Sequence, residues 1–331
     1  MKFLRVAQAP EGYFAELAEA PAPVPGPDEA LVEVAASGVN RADLSQIAGR
    51  YPAPPGEPEI LGLELSGTVV GTGESVCALV AGGAHAELAA VPRGQIFPVP
   101  RSLDPTTAAG IPEAFLTAYL NLVLEADLPL GGRALVHAGA SGVGLAAIQT
   151  AKFLGAAVAA TTRTASKLPA IQRAGADLAI DTGTGPFPEA IERAWGRGAI
   201  HVVLDPVGAD TLAGDLRVLA VGGSIVFLAT MSGAGATLDI SALMARRARL
   251  IGSTLRSRPR QEKAALVDQF RREILSGFDA GALRVEVDSV FPAARAAEAF
   301  QRMAENRNTG KILIDWTPSQ GEVVFPAARR A

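Results

Sequence analysis

Short apolar strands alternate with helices between residues 133 and 228, and this alternation restricts the fold more than any other feature of the chain. The strand-like segments are residues 133–137, 157–162, 178–180, 201–205 and 224–228. The helix-like segments between them include residues 143–154, 165–174 and 188–195. Apolar strands that alternate with helices are typical of a parallel sheet with helices on both faces. The sequence therefore predicts an α/β domain with a doubly wound parallel sheet.

A glycine-rich turn joins the first of these strands to its helix, with the sequence Gly-Ala-Ser-Gly-Val-Gly at residues 139–144. A dinucleotide pyrophosphate binds backbone N–H groups at a helix N-terminus, where larger side chains would block its approach. Ser141 replaces the middle glycine of the usual fingerprint. We interpret the segment as a cofactor-binding turn formed by Gly139, Ser141, Gly142, Val143 and Gly144. The alternative is a turn that only packs helix against strand.

The residues that follow the second strand indicate which dinucleotide is bound. NAD-binding domains carry an acidic residue about 20 positions after the turn, and it binds the ribose hydroxyls. Residues 159–167 contain no acid, whereas Arg163 and Lys167 are cationic and Thr164 and Ser166 carry hydroxyls. Cations and hydroxyls together suit a 2′-phosphate. The sequence therefore predicts NADPH as the cofactor, and the alternative is a solvated pair of surface charges.

The regions on either side of this domain have a different pattern. Residues 31–34, 66–70 and 84–89 read as short strands, and four prolines within residues 51–58 predict an irregular loop. This part is expected to be a mostly antiparallel β-domain. After residue 255, amphipathic helices at 261–276 and 293–306 precede a closing strand at 311–316 and a loose tail at 317–331.

The composition excludes several classes of function. The chain has one cysteine and three histidines, and its formal net charge is -4. Cys77 is expected to be a small buried residue, and His85, His137 and His201 lack metal-ligand spacing and are expected to be structural. No basic field favours nucleic acid, and glycines interrupt the longest uncharged run. We expect a cytoplasmic enzyme or binding protein without a nucleic-acid or membrane partner.

Several blocks of sequence, taken in order, carry a resemblance to a known family. They are residues 38–44, 49–52, 60–67, 111–118, 139–144, 255–258 and 308–312. The chain resembles the quinone oxidoreductase branch of the zinc-independent medium-chain dehydrogenase/reductase superfamily. The resemblance implies a Rossmann dinucleotide-binding domain at residues 116–254. It also implies a mostly β, GroES-like catalytic domain at residues 1–115 and 255–331, with the active site in the cleft.

The resemblance also bears on zinc. Asn40 stands where zinc-dependent relatives have a cysteine ligand, and Leu63 stands where they have a histidine, although Glu64 is kept. No cysteine cluster occupies the segment that holds a structural zinc in those relatives. The resemblance and the residue count therefore both predict that no metal is bound.

Further site residues follow from the resemblance alone. It implies that Asn40 lies near the nicotinamide and that Tyr51 lines the substrate site, where its hydroxyl could orient or protonate a reduced oxygen. The alternatives are a turn residue for Asn40 and a packed aromatic for Tyr51. The remaining residues that match cofactor contacts are Thr117, Gly142, Val143, Gly144, Ser166, Lys167, Phe227, Leu228 and Asn308.

The expected function is NADPH-dependent transfer of a hydride to a quinone. A quinone needs little acid catalysis, because its reduced form is a stabilised aromatic anion. Two alternatives stay open: reduction of the C=C bond of an enal or enone, and a non-catalytic NADPH-binding protein. The resemblance also implies a homodimer through an edge of the cofactor-domain sheet. Residues 224–228, followed by residues 233–238, could supply that edge.

Overall fold

The computed structural model describes residues 1–9 and 12–317 and divides the chain into two compact units. Unit 1 comprises residues 1–116 and 255–331, and unit 2 comprises residues 117–254. The tail expected at residues 317–331 lies outside the described residues except for Thr317. No helix within the described ranges is long and apolar enough to cross a membrane.

The strands are β1 (Lys2–Ala9), β2 (Gly12–Glu19), β3 (Glu29–Val39), β4 (Glu64–Val69), β5 (Ser75–Leu79), β6 (Leu88–Pro92), β7 (Ile96–Pro98), β8 (Arg133–Val136), β9 (Ala157–Thr162), β10 (Leu178–Asp181), β11 (Ile200–Asp205), β12 (Leu219–Phe227), β13 (Arg249–Gly252), β14 (Val287–Pro292) and β15 (Lys311–Asp315). The α-helices are α1 (Arg41–Ile47), α2 (Pro105–Ala108), α3 (Pro112–Tyr119), α4 (Gly142–Phe153), α5 (Leu168–Arg173), α6 (Phe187–Trp195), α7 (Leu212–Val218), α8 (Ile240–Arg246), α9 (Arg260–Glu273), α10 (Ser276–Asp279) and α11 (Ala296–Ala304). A π-helical stretch, Leu120–Glu125, extends α3.

Unit 1 is built around a largely antiparallel sheet of seven strands. The sheet runs in the order β14-β15-β3-β4-β5-β7, and β6 also pairs with β3. The first half of β3 alternates buried and more exposed residues, as a strand with one face on a core should. The core contains Val32, Leu65 and Ile312 from three neighbouring strands. β15 therefore lies inside the sheet, although it comes from the second segment of the unit.

Unit 2 contains a parallel sheet in the order β10-β9-β8-β11-β12-β13. Counted along the chain within the unit, this order is the doubly wound arrangement in which the strand sequence reverses next to the first strand. The central strands are almost wholly buried and apolar, and Leu135, Ala159, Val203 and Ile225 form a central part of the core. The α/β fold class and the doubly wound sheet are confirmed, together with every strand predicted between residues 133 and 228.

Two structural expectations were wrong. Residues 224–228 cannot form a sheet edge, because β12 pairs with both β11 and β13, so the edge is Arg249–Gly252.

The strand expected at residues 84–89 begins only at Leu88. Residues before it form irregular backbone because the His85 N–H donates to the Leu61 carbonyl at 2.9 Å. That backbone passes so close to Gly62 that a Cβ there would lie 2.5 Å from the His85 nitrogen.

Candidate functional site

The glycine-rich turn of unit 2 connects β8 to α4 as the sequence predicts. Ser141 is the N-cap of α4, and its Oγ accepts a hydrogen bond from the Gly144 N–H at 3.0 Å. The Gly139 N–H donates to the carbonyl of Thr161 at 2.8 Å, which fixes the turn against the end of β9. Ser141 thus stands at a position that favours a small polar cap, which explains why this turn tolerates serine.

Two glycines of the turn lie where a larger residue would not fit. A Cβ on Gly144 would be 2.4 Å from the Ala138 carbonyl oxygen, and one on Gly139 would be 2.9 Å from the Cβ of Ala160. The helix N-terminus can therefore approach the strand closely and leave backbone N–H groups for an anion. The turn at residues 139–144 has the close backbone packing that a dinucleotide pyrophosphate requires, so its residues fit the cofactor.

The residues after β9 form a short 3₁₀ turn, Ala165–Lys167, that leads into α5. Arg163, Thr164 and Ser166 are exposed, and Lys167 is half-buried. No acidic residue occurs in this stretch of sequence. The structure therefore keeps two cations and two hydroxyls together on the segment that follows the second strand of the sheet.

The other residues matched to cofactor contacts are spread over both units. In unit 2, Thr117 is buried in α3, while Phe227 and Leu228 are half-buried at the carboxyl end of β12. The Leu228 N–H donates to the carbonyl of Asp205 at 2.9 Å, which ties this strand end to β11. In unit 1, the Asn308 side chain donates to the carbonyl of Gly310 at 2.9 Å.

Asn40 belongs to a buried polar cluster in unit 1. Its side-chain amide donates to Glu64 Oε1 at 2.9 Å, and its Oδ1 accepts from Lys311 Nζ at 2.9 Å. Lys311 also forms a short ion pair with Glu64 and donates to the Val39 carbonyl at 3.2 Å. The Asn40 side chain is therefore held by a carboxylate and an ammonium rather than by the turn alone.

Tyr51 lies at the start of the proline-rich loop and is packed under a buried arginine. The guanidinium carbon of Arg256 is 5.2 Å from the centre of the Tyr51 ring, and its Nη1 donates to the Tyr51 carbonyl at 3.1 Å. Arg256 also donates to Gln46 Oε1 at 2.8 Å and to the Ala81 carbonyl at 2.6 Å. These contacts fix the ring, because a cation over an aromatic face is attracted to it.

Burial and charge shift the pKa values of two groups in unit 1. Burial, followed by the negative charge of Glu113, raises the pKa of Tyr51, and the charge of Arg256 partly opposes this. Burial and the charge of Glu64 raise the pKa of Glu113 to about 8. The charge of Glu113 is thus one cause of the raised pKa of Tyr51, so the ionisation of one acid affects that of the other.

The sequence reasoning assigned no role to Glu113, Arg256 or Lys311. Each stands in a block that carries the family resemblance, and Glu113 and Lys311 are charged residues within otherwise apolar or small-residue stretches. Glu113 follows Ile-Pro in the run 111–118, and Lys311 precedes Ile-Leu-Ile. Charged residues are rarely buried unless they are paired, so their position inside apolar blocks was the available signal.

The histidines and the cysteine do not form a metal site in the residues described. No group of three or more His, Cys, Asp or Glu side chains there could hold a metal ion. Cys77 is fully buried on β5, as expected. His85 Nδ1 lies 2.7 Å from Ser37 Oγ, and His137 is bonded to Asp215 and Thr161. His201 Nδ1 accepts a hydrogen bond from the Arg133 N–H at 3.0 Å.

Two family models match the chain. Residues 26–101 match the alcohol dehydrogenase GroES-like domain, and residues 142–272 match the zinc-binding dehydrogenase domain. The first match lies in unit 1. The second begins at the first residue of α4 and extends into α9.

Characterised proteins and solved structures show similarity over nearly the whole chain. The mouse (Mus musculus) quinone oxidoreductase-like protein 2 is 29% identical over 306 residues, which cover 89% of this chain and 87% of the relative. The rat (Rattus norvegicus) synaptic vesicle membrane protein VAT-1 homolog is 28% identical over 315 residues, covering 88% and 78%. The quinone oxidoreductase from Thermus thermophilus, whose crystal structures include a complex with NADPH, is 33% identical. It superposes with a TM-score of 0.81 and covers 96% of this chain and 100% of its own.

Proposed function

The chain belongs to the medium-chain dehydrogenase/reductase superfamily, in its quinone oxidoreductase branch, and on this premise we propose that it transfers a hydride from NADPH to a quinone without zinc. Oxidoreductase chemistry is common to this family. NADPH supplies the hydride, and the protein binds it, orients the acceptor and controls protons. Beyond the chemistry of the family, we propose that the acceptor is a quinone, that no zinc takes part, and that individual residues have the roles given below.

The glycine turn with its neighbouring cations is the observation that carries the proposal. Gly139 and Gly144 leave no space for side chains where the helix N-terminus meets the strand. The backbone N–H groups there would hold the pyrophosphate, and Arg163 and Lys167 would hold the 2′-phosphate. The complex of the Thermus thermophilus relative with NADPH supports this choice of cofactor.

Asn40 and Tyr51 are proposed to serve the reaction from unit 1. The amide of Asn40 is fixed by Glu64 and Lys311, so its dipole has a defined direction, and we propose that it lies near the nicotinamide. The ring of Tyr51 is fixed by Arg256, so its hydroxyl can orient an acceptor oxygen. Pre-organised groups of this kind favour the geometry of hydride transfer without a metal.

Zinc independence rests on the identity of two residues. Asn40 and Leu63 replace the cysteine and histidine that ligate zinc in zinc-dependent relatives. Leu63 is fully buried, and a leucine side chain offers no ligand atom. The amide of Asn40 is engaged with Glu64 and Lys311, which together supply a carboxylate–ammonium pair at this place.

We propose a homodimer through the free side of β13. Within the described part of the chain, β13 pairs only with β12, and α8 has no buried residue. Ile240, Met244 and Leu250 are 56%, 71% and 37% exposed. An unpaired strand edge beside exposed apolar side chains is typical of a surface that a second copy covers.

Oxidation of NADPH, followed by absorbance with a panel of quinones and enones, tests the proposed function. We expect turnover on quinones, with NADPH strongly preferred over NADH. Product analysis separates reduction of the quinone from reduction of a C=C bond. Turnover only on enones would replace the quinone by the C=C alternative. Binding of NADPH without turnover on any acceptor would indicate a binding protein.

A further inference from the structure

Glu113 stands in the first turn of α3, and its side chain is partly buried, with few groups around it that could pair with the carboxyl. Its backbone N–H donates to Glu64 Oε2 at 2.8 Å, so a second carboxylate lies next to it. Its own Oε2 is closed off from solvent and has no hydrogen-bond partner in the part of the chain that the structure describes. An ionised carboxylate oxygen in this position would be desolvated without compensation, whereas a protonated carboxyl tolerates it.

The cations around Glu113 are engaged with other groups. Lys311 Nζ donates to Asn40, to Glu64 and to the Val39 carbonyl, which accounts for all three of its N–H donors. Lys263 Nζ donates to the Arg256 carbonyl at 2.9 Å. Among the described residues, Glu113 is thus left without a dedicated ion-pair partner.

The charged and titratable groups that act on Glu113 come from every element near it. They are Glu64 of β4, Lys311 of β15, Asp43 of α1, Lys263 of α9, and Tyr51 and Arg256 from loops. Burial is the largest cause of the raised pKa of Glu113, and Glu64 is the next. Since Tyr51 also has a raised pKa, its hydroxyl is a weaker acid than usual. Of the two acids, Glu113 is the one suited to give up a proton near neutral pH.

We propose that Glu113 is a catalytic proton donor that protonates the acceptor oxygen, with Tyr51 orienting that oxygen. This inference rests on the proposed function. In the step, an enone gains a hydride at its β-carbon from the reduced nicotinamide, or a quinone gains one at an oxygen, and the displaced electron pair moves onto the conjugated carbonyl oxygen. That oxygen takes the proton from the Glu113 carboxyl. Glu113 becomes a carboxylate and regains a proton from water before the next turnover, and the oxidised cofactor is released.

A proton donor matters most for acceptors whose oxygen becomes strongly basic. A quinone oxygen becomes a stabilised phenolate, whereas an enone oxygen becomes a more basic enolate. Loss of Glu113 should therefore slow the enone more than the quinone. The inference extends the acceptor class of this site from quinones to conjugated carbonyl compounds in general.

Steady-state kinetics of Glu113→Gln, Glu113→Asp and the surface control Glu298→Gln test this proposal in the full-length protein. With an enone, we expect Glu113→Gln to lower kcat by about 100-fold and Glu113→Asp to retain most of it. With a quinone, the loss should be smaller. The kcat of the unaltered protein should fall as the pH rises through about 8, and Glu113→Gln should abolish that fall. NADPH affinity, measured by fluorescence, should be the same in all forms.

Infrared spectroscopy measures the protonation of Glu113 independently of turnover. We expect a protonated-carboxyl band at pH 7 that is lost at higher pH and missing in Glu113→Gln. A missing band in the unaltered protein, or unchanged kcat values and pH profile in Glu113→Gln, would overturn the inference. An unaltered protein that shows the band and binds NADPH but reduces no acceptor would refute the proposed function and the donor role together. Turnover without any effect of Glu113→Gln would refute only the donor role.

Discussion

Gly144 is the residue at which the turn of unit 2 has the least space. A methyl group there would lie 2.4 Å from the Ala138 carbonyl oxygen and 2.8 Å from Gly139, both of them backbone atoms. Backbone cannot move aside as a flexible side chain can. The glycine is therefore required by the packing of the turn itself, and this packing lets the N-terminus of α4 lie close to β8, where a pyrophosphate would bind its N–H groups.

Gly144→Ala should weaken NADPH binding by at least about tenfold and destabilise the fold by about 1–3 kcal/mol, because the helix must shift away from the strand. Fluorescence titration and thermal unfolding measure the two effects. Gly185→Ala is the matched control in the same unit, because a Cβ there meets nothing within 4 Å. Equal effects in both variants would contradict the assigned role of the turn.

Lys167→Glu should weaken NADPH binding by about tenfold, or about 1.4 kcal/mol, and should leave NADH binding nearly unchanged. The reason is that the new carboxylate would repel the 2′-phosphate, which NADH lacks. Arg193→Glu makes the same charge change at an exposed position of α6 and serves as the control. If Lys167→Glu weakens both cofactors equally, the 2′-phosphate site lies elsewhere.

At the scale of elements, β13 shows why the sheet edge was misplaced from the sequence. Its four residues, Arg249–Gly252, are few and follow a cationic stretch, so they lack the apolar run that marked the other strands. The alternation of apolar strands and helices that predicted the sheet therefore ended at β12 in the sequence. A strand that is short, charged at its start and largely exposed is typical of a sheet edge, but the same properties make it hard to recognise in a sequence.

The double variant Met244→Glu with Leu250→Glu should convert a dimer into monomers, because two carboxylates would be buried against their symmetry mates. Light scattering after size-exclusion chromatography measures the mass. Val24→Glu is the control, since Val24 is 91% exposed in unit 1. A dimer that persists in the double variant would show that another surface makes the contact.

At the scale of the whole molecule, the sequence was sufficient to predict the fold, but it named only some residues of the candidate site. Periodicity is local, so it predicted the alternating elements and the glycine turn of unit 2. The cluster of unit 1 depends on pairs that are far apart along the chain: Lys311 and Glu64 are separated by 247 residues. Such pairing is produced by sheet topology, which local patterns do not encode. The roles of Asn40 and Tyr51 were predicted only through the family resemblance.

The stability of the protein should depend on pH through a buried pair in unit 2. His137 Nε2 lies 2.8 Å from Asp215 Oδ1, and both side chains are buried. Burial lowers the pKa of His137, but the charge and hydrogen bond of Asp215 outweigh it and raise the pKa above its usual value. Burial raises the pKa of Asp215 to about 6. The folded pair therefore keeps protons to a higher pH than the unfolded chain does.

The free energy of unfolding that the proton on His137 contributes is fully present below a pH of about 6.5, the usual pKa of a histidine. It is lost as the pH rises through the raised pKa that His137 has in the folded protein. We expect denaturant unfolding to show a fall in stability above pH of about 6.5 that is smaller in His137→Gln. His201→Gln removes another histidine of the same sheet and should keep the fall of the unaltered protein. Parallel curves for the protein and His137→Gln would contradict this linkage.

The interleaving of the two units along the chain has a consequence for synthesis on the ribosome. All of unit 2 has been translated by residue 254, whereas β15, which lies between β14 and β3 in the sheet of unit 1, comes only at residues 311–315. During that interval one side of β3 lacks its final neighbour, and Glu64 lacks the ammonium of Lys311. The growing chain thus carries an open strand edge and an unmatched carboxylate late in translation, when chaperones that cover such edges would be of most use.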